Sequence, residues 1–273
     1  MNALFVANKP IAISSNHFLG RLKRKYSTKK AGFSGTLDPF ASGCLIVALG
    51  NYTRLFNYIS KSPKIYEATM WIGAKSKSGD NENISEIEIL NPLDLNTIKL
   101  AKKSLLGKIS YTPPKFSAKN IDGTRAYKLA RAGVEFELKK EEMEVFSCEI
   151  MHYFHPFLTF KISVDEGSYI RSYTQILAKK LGVNATLSSL KRLSEGKFKF
   201  EKEKFLNPLD FIDLETNEYL GDFKDILFGK KLEYTSFKKR EDGIYLIKFD
   251  KFFSIIEIKD QTVSYRLNKV ELC

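Results

Sequence analysis

Two unbroken apolar runs stand near the start of the chain, residues 3–7 (ALFVA) and 44–49 (CLIVAL). Short runs without alternation predict strands covered on both faces. Elsewhere apolar and polar positions alternate. In KIYEATMWIGA at 64–74, Tyr66, Ala68, Met70 and Ile72 share one strand face, and at 157–165 Leu158, Phe160, Ile162 and Val164 do the same. A further strand is expected near 143–152. Helical spacing is the third pattern. Phe18, Leu19, Leu22 and Tyr26 form one stripe, with Ser14 or Ser15 as cap. Helices are also expected at about 53–60, from Asn96 or Thr97 to about Leu106, at about 124–132, and at 169–181. The last carries Ile170, Tyr173, Leu177 and Leu181 on its buried face and Gly182 at its end. Beyond about 215 only short strands are predicted, at 243–249, 253–258 and 262–267. The pattern gives an α+β protein with a larger part, 1–215, and a small β-rich part, 216–273.

A length of 273 residues, 43% hydrophobic content and 21 Phe suit a well-packed globular core. Charge adds a partner class. Lys and Arg number 44 against 32 Asp and Glu, a net +12 that favours nucleic acid or another polyanion. Residues 216–273 hold 11 cations and 10 acids, whereas the preceding residues hold 33 and 22, so the excess belongs to the larger part. Cys44, Cys148 and Cys273 are odd in number and far apart, which predicts reduced thiols in a cytoplasmic protein. No signal peptide or membrane span is predicted. His152 and His155 lack partners at ligand spacing, so no metal is expected, and Gly32-x-x-Gly35 lacks the ending of a phosphate loop.

Within that basic chain, Asp38 is the only carboxylate in the first 66 residues, among ten cations including Lys9, Arg21, Lys29 and Lys30. It lies in the turn Gly32-Phe33-Ser34-Gly35-Thr36-Leu37-Asp38-Pro39. Arg171 falls at the start of a predicted helix, where a cation opposes the helix dipole and calls for an external partner; a buried carboxylate would serve. Residues 113–133, rich in cations and turn formers, read as an RNA-facing excursion from the core.

The stretch GFSGTLDPFASGCLIVALGNYTRL resembles the catalytic motif of the TruB family of tRNA pseudouridine synthases. Further motifs follow in order: NKP and ISSN before it, then KIYEATMWIG, PPKFSA with GTRAYKLARAG, GSYIRS and LKRL, over about residues 3–200. The resemblance implies a catalytic domain around a mixed, largely antiparallel sheet, with the excursion at about 113–142, and a small PUA-like C-terminal domain. It implies isomerisation of the T-loop uridine at tRNA position 55 after base flipping. Asp38 would be the catalytic carboxylate, Arg171 its partner, Tyr66 the ring stacked on the target base, and Tyr169 and Leu190 the pocket lining. Phe33 stands where the family usually has His, and only Asp80 remains of the usual acidic pattern in GAKSKSGD.

Moving a base from N1 to C5 attachment involves no net redox change or hydrolysis, so no cofactor is expected. The carboxylate could attack as a nucleophile or remove a ribose proton as a base. Arg171 is expected to keep it ionised despite burial. Lys9, Arg21, Lys29, Lys30, Lys115, Arg125 and Arg131 are the candidates for backbone contacts to the T-arm of tRNA, bound by a monomer. The alternative is a tRNA-binding protein or folding chaperone without catalysis, for which a carboxylate among phosphate-binding cations would have no use.

Overall fold

The computed structural model describes residues 1–272. Its centre is a nine-stranded sheet. The chain enters it with β1 (Ala3–Lys9), leaves through α1 (Ser15–Lys25), and returns as β2 (Ala31–Ser34) and β3 (Ser42–Leu49). After a 3-10 segment at Gly50–Asn57 come β4 (Lys64–Ile72), a side ribbon of β5 (Ala74–Ser76) and β6 (Ile84–Ile87), α2 (Leu95–Lys103) and β7 (Gly107–Tyr111). The excursion follows, with a two-residue hairpin of β8 (Asn120–Ile121) and β9 (Thr124–Arg125) and the helix α3 (Ala126–Arg131). The main sheet is completed by β10 (Glu141–Phe154), β11 (Phe157–Val164), α4 (Ile170–Lys180), β12 (Ala185–Glu195) and β13 (Phe198–Lys199).

Strand order across the main sheet is β1-β3-β12-β4-β11-β10-β7, with β2 paired to β3 and β13 to β12. Only β3 and β12 run parallel, joined at Lys191↔Ser42 and Arg192↔Gly43. The sheet is therefore mixed and largely antiparallel, as expected. Here the backbones come very close. Gly43 has φ +105 and a Cβ there would lie 2.2 Å from the Arg192 carbonyl oxygen, so no other residue fits that crossing.

The unbroken apolar runs have a physical reason. One face of β1 and β3 (Phe5, Ala7, Leu45, Val47) packs under Phe18, Leu19 and Leu22 of α1. The other face (Leu4, Val6, Ile46, Ala48) packs against Leu246, Phe253, Ile255 and Leu267 from the C-terminal part. That part is β-rich: β14 (Glu215–Thr216), α5 (Phe223–Leu227), β15 (Gly243–Lys248), β16 (Phe252–Lys259) and β17 (Thr262–Glu271), with sheet order β14-β15-β16-β17. The alternating strands β4 and β11 turn one face only to the core, where Met70, Ile72, Phe160 and Ile162 meet Ile170, Tyr173 and Leu177 of α4.

Several boundaries differ from the sequence expectation. The helix placed at 53–60 is the 3-10 segment Gly50–Asn57. The helix expected from Asn96 or Thr97 to about Leu106 is α2, Leu95–Lys103, capped by Asp94, whose carboxylate accepts from the Thr97 amide at 2.8 Å. No helix among the described residues is long and apolar enough to cross a membrane.

Candidate active site

The turn carrying Asp38 is held from three sides. Ser14 caps α1 by accepting from the His17 amide at 3.2 Å, which places Ser15 in the first turn. The Ser15 hydroxyl accepts from the Leu37 amide and donates to the Leu37 carbonyl, both at 2.9 Å, gripping the residue before Asp38. Lys9, at the end of β1, donates to the carbonyls of Pro10 (2.8 Å), Ile13 (2.7 Å) and Pro39 (3.4 Å). From the third side, Arg192 of β12 donates to the carbonyls of Gly35 and Cys44, each at 2.8 Å.

Lys9 is thus a correction. It was expected to meet RNA phosphate, but it is fully buried and ties the β1 exit to the residue after Asp38. Burial lowers its pKa to about 8, opposed by the nearby Asp38 and Glu82 charges. Its carbonyl cage suits an ammonium, not a contact with a ligand.

Arg171 sits in the first turn of α4 with its side chain 3% exposed, and its partners are those a misplaced helix cation needs. One terminal nitrogen reaches the Asp38 carboxylate at 2.9 Å and donates to the Phe116 carbonyl at 2.9 Å. The other donates to the Ser78 carbonyl at 2.7 Å and lies 3.7 Å from Asp80. Asp80 is itself buried and accepts from the Ser78 hydroxyl and the Glu82 amide. Asp38 keeps 30% of its side chain open to the surrounding space. Burial pushes its pKa above the usual 3.8; Arg171 pulls it down, and Asp80 pushes it up again. Arg171 acts in the expected direction, but loss of water outweighs it.

Asp38 and Arg171 stand where two cavities meet. The smaller, here the inner cavity, about 300 Å³, is lined by Asp38, Arg171, Tyr66, Tyr169 and Leu190, together with Lys64 and Arg192. The five residues named from the sequence for the base pocket and its carboxylate therefore converge, from four separate elements. Tyr66 and Leu190 are both 6% exposed, and burial raises the Tyr169 pKa. The larger, here the outer cavity, about 750 Å³, is lined by Phe33, Asn16, Glu82, Tyr127, Arg125 and Arg131 besides Asp38 and Arg171. Phe33 lies on β2 opposite Val47, half-buried against the α1 cluster, at some remove from the inner cavity lining. The excursion forms part of both walls through Ala118 and closes on Arg171 through the Phe116 carbonyl.

Of the remaining basic candidates, Arg21, Lys29, Lys30, Lys115, Arg125 and Arg131 are exposed. Arg125 donates to the Ala118 carbonyl at 2.6 Å, Arg131 stacks over Tyr127, and Lys30 donates to Asn51. Three site residues escaped sequence reasoning: Lys64, Arg192 and Glu195, all buried. A signal for two of them existed. Lys64 shares strand parity with Tyr66, and Arg192 with Leu190, so alternation places each on its partner's face. Glu195 breaks parity because β12 carries an irregularity between Arg192 and Ser194.

The comparisons with known proteins bear on the fold and the family. Chains in a Cbf5-Nop10-Gar1 complex and in an H/ACA RNP bound to a substrate RNA containing 2′-deoxyuridine share the fold. Their TM-scores are 0.68 and 0.63 at 18% identity, and each alignment covers 99% of this chain and 84% of that chain. The protein called tRNA pseudouridine synthase B is 65% identical in Campylobacter curvus and 53% identical in Campylobacter jejuni strain RM1221, over the whole of both chains. That of Sulfurimonas denitrificans is 50% identical over 99% of this chain and 100% of its own. Residues 23–170 match the N-terminal domain of the TruB family pseudouridylate synthases, and with relatives this similar over the full length, the chain belongs to that family.

Proposed function

We propose that the protein isomerises a uridine of tRNA to pseudouridine, with Asp38 as its catalytic carboxylate. The observation that carries this reading is the Asp38 carboxylate, held by Arg171 at 2.9 Å, on the wall of a cavity also lined by Tyr66, Tyr169 and Leu190. Such a cavity suits one flipped nucleotide, with Tyr66 as an aromatic face for the base, a contact worth about 1–3 kcal/mol. Extrusion from a stack costs a few kcal/mol, which cationic contacts from Arg125, Arg131, Lys115, Arg21, Lys29 and Lys30 offset. Attack at C1′ and removal of the 2′ proton both require the ionised carboxylate, which Arg171 favours and burial opposes. In this reading the substrate is the T-loop uridine at position 55, the outer cavity takes neighbouring T-arm nucleotides, and Phe33 is an apolar wedge beside them. The protein acts as a cytoplasmic monomer, and residues 216–273 serve as a short PUA-like domain.

The test maps pseudouridine in an unmodified tRNA transcript after incubation with wild type or Asp38→Ala. Wild type is expected to modify one T-loop site and Asp38→Ala none, with tRNA binding retained. Turnover that survives in Asp38→Ala would sink the mechanism. Binding without turnover by wild type would leave a tRNA-binding protein or folding chaperone as the better description.

A further inference from the structure

A second charged group borders the inner cavity, and the chemistry described so far makes no use of it. Lys64 of β4 and Arg192 of β12 both line the cavity beside Tyr66, whose strand partner is Arg192. Glu195 lies behind them with no exposed surface, 3.3 Å from the Lys64 ammonium and 3.2 Å from an Arg192 terminal nitrogen. The Ser34 hydroxyl donates to Glu195 at 3.2 Å. Gly35 closes the set: at φ +62, a Cβ there would stand 2.9 Å from Glu195 and 3.0 Å from Arg192. Two cations share one carboxylate, and among the described residues neither has another acid within ion-pair distance. An unbalanced buried charge costs stability, so its retention beside a substrate cavity asks for a function.

The two cations differ in what they have left to give. Arg192 is committed to the Gly35 and Cys44 carbonyls, to Glu195 and to Tyr66. Lys64 has three N–H donors and, among the described residues, a single side-chain partner, Glu195. We propose that Lys64 donates a hydrogen bond to a carbonyl oxygen of the flipped uracil and stabilises the charge that develops on the base as it leaves the sugar. This rests on the proposed function and deepens it. When the N1–C1′ bond breaks, both electrons go with the base, and the negative charge spreads over N1 and the two carbonyl oxygens. C1′ is taken by an Asp38 oxygen, or the 2′ proton passes to Asp38. After the base turns, that electron pair closes the C5–C1′ bond as the Asp38 oxygen leaves C1′ or, on the other route, as C2′ takes its proton back from Asp38; the C5 proton then leaves, and N1 gains one. Lys64 keeps its proton throughout. A preorganised cation is most effective against charge that exists only in the transition state.

The experiment compares wild type, Lys64→Met and Lys64→Arg for the single-turnover rate of pseudouridine formation in a tRNA transcript, the Kd for that tRNA, and Tm. Lys64→Met is expected to lower the rate about 10²–10³-fold while Kd stays within about threefold. Its Tm should equal or exceed that of wild type, because a balanced Arg192–Glu195 pair remains. Lys64→Arg should recover part of the rate. Should Lys64→Met fail to fold, Lys64→Gln, which retains a donor without charge, carries the same expectation for rate and Kd. A wild-type rate in either uncharged variant, or a loss of rate that merely follows Kd or Tm, overturns the proposal. Absence of pseudouridine with wild type would instead overturn the underlying function.

Discussion

Two buried charge clusters border the same inner cavity with opposite excess. Asp38, Asp80 and Arg171 hold two acids for one cation; Lys64, Arg192 and Glu195 hold two cations for one acid. The acidic set stands on loops and the start of α4, the cationic set on the strands β4 and β12, and in each the arginine donates to a backbone carbonyl of a facing loop. The difference lies in what remains available. The acidic set leaves Asp38 30% open, while the cationic set leaves Lys64 short of acceptors. A reaction that parts sugar from base needs an anionic group for the sugar and a cationic one for the base. Under the proposed function, the asymmetry would divide that work between the clusters.

Breaking the acidic side should have the largest effect. Under the proposed function, Asp38→Ala should abolish turnover, a loss of more than about 10⁴-fold, because attack at C1′ and removal of the 2′ proton both need that carboxylate. Pseudouridine mapping reads it directly, and the 10²–10³-fold loss expected for Lys64→Met ranks second. Arg171→Met removes the one cation between two acids and should destabilise the fold by about 3–5 kcal/mol. Urea unfolding measures this, and a cost near zero would show that the two carboxylates do not depend on Arg171.

Asp80→Asn sharpens the comparison through pH. Asp80 raises the Asp38 pKa, and the proposed function requires the ionised Asp38, so the rate should fall as pH drops through that raised value. Removing the Asp80 charge should shift the acidic limb of the single-turnover rate profile to lower pH; a limb that stays put or rises would contradict the coupling. The smallest effect belongs to the exposed cations. Arg125→Ala or Arg131→Ala should each reduce the slope of log affinity against log salt by about one. Lys9→Met should leave that slope unchanged, since Lys9 spends its donors on carbonyls inside the protein.

Much of the site was legible because local rules and global packing agree there. Alternation put Tyr66 on the buried face of β4, and a cation at a helix start announced a carboxylate partner, found in Asp38 and Asp80. The continuous runs of β1 and β3 announced double coverage, though not that the C-terminal sheet provides half of it. What stayed hidden is charge indoors. Lys9 read as surface because lysine is rarely buried, and its carbonyl cage forms from residues 10, 13 and 39, whose positions depend on the completed turn. Lys64 and Arg192 obeyed strand parity all along, but their charges suggested solvent. Glu195 required knowledge of a strand irregularity that periodicity cannot reveal.

Asp38 and Arg171 form the threshold between the two cavities. Under the proposed function, a nucleotide undergoing rearrangement remains threaded between neighbours that lie on the other side of that threshold. A free nucleoside has no chain to lay there and forfeits those contacts, so the monomer pool competes poorly with the polymer. Departure then has an order: the flanking strand lifts first and the altered base follows. How fast the RNA peels away, more than how fast the base turns, would set the pace of repeated use, and added salt should quicken that exit while it weakens entry.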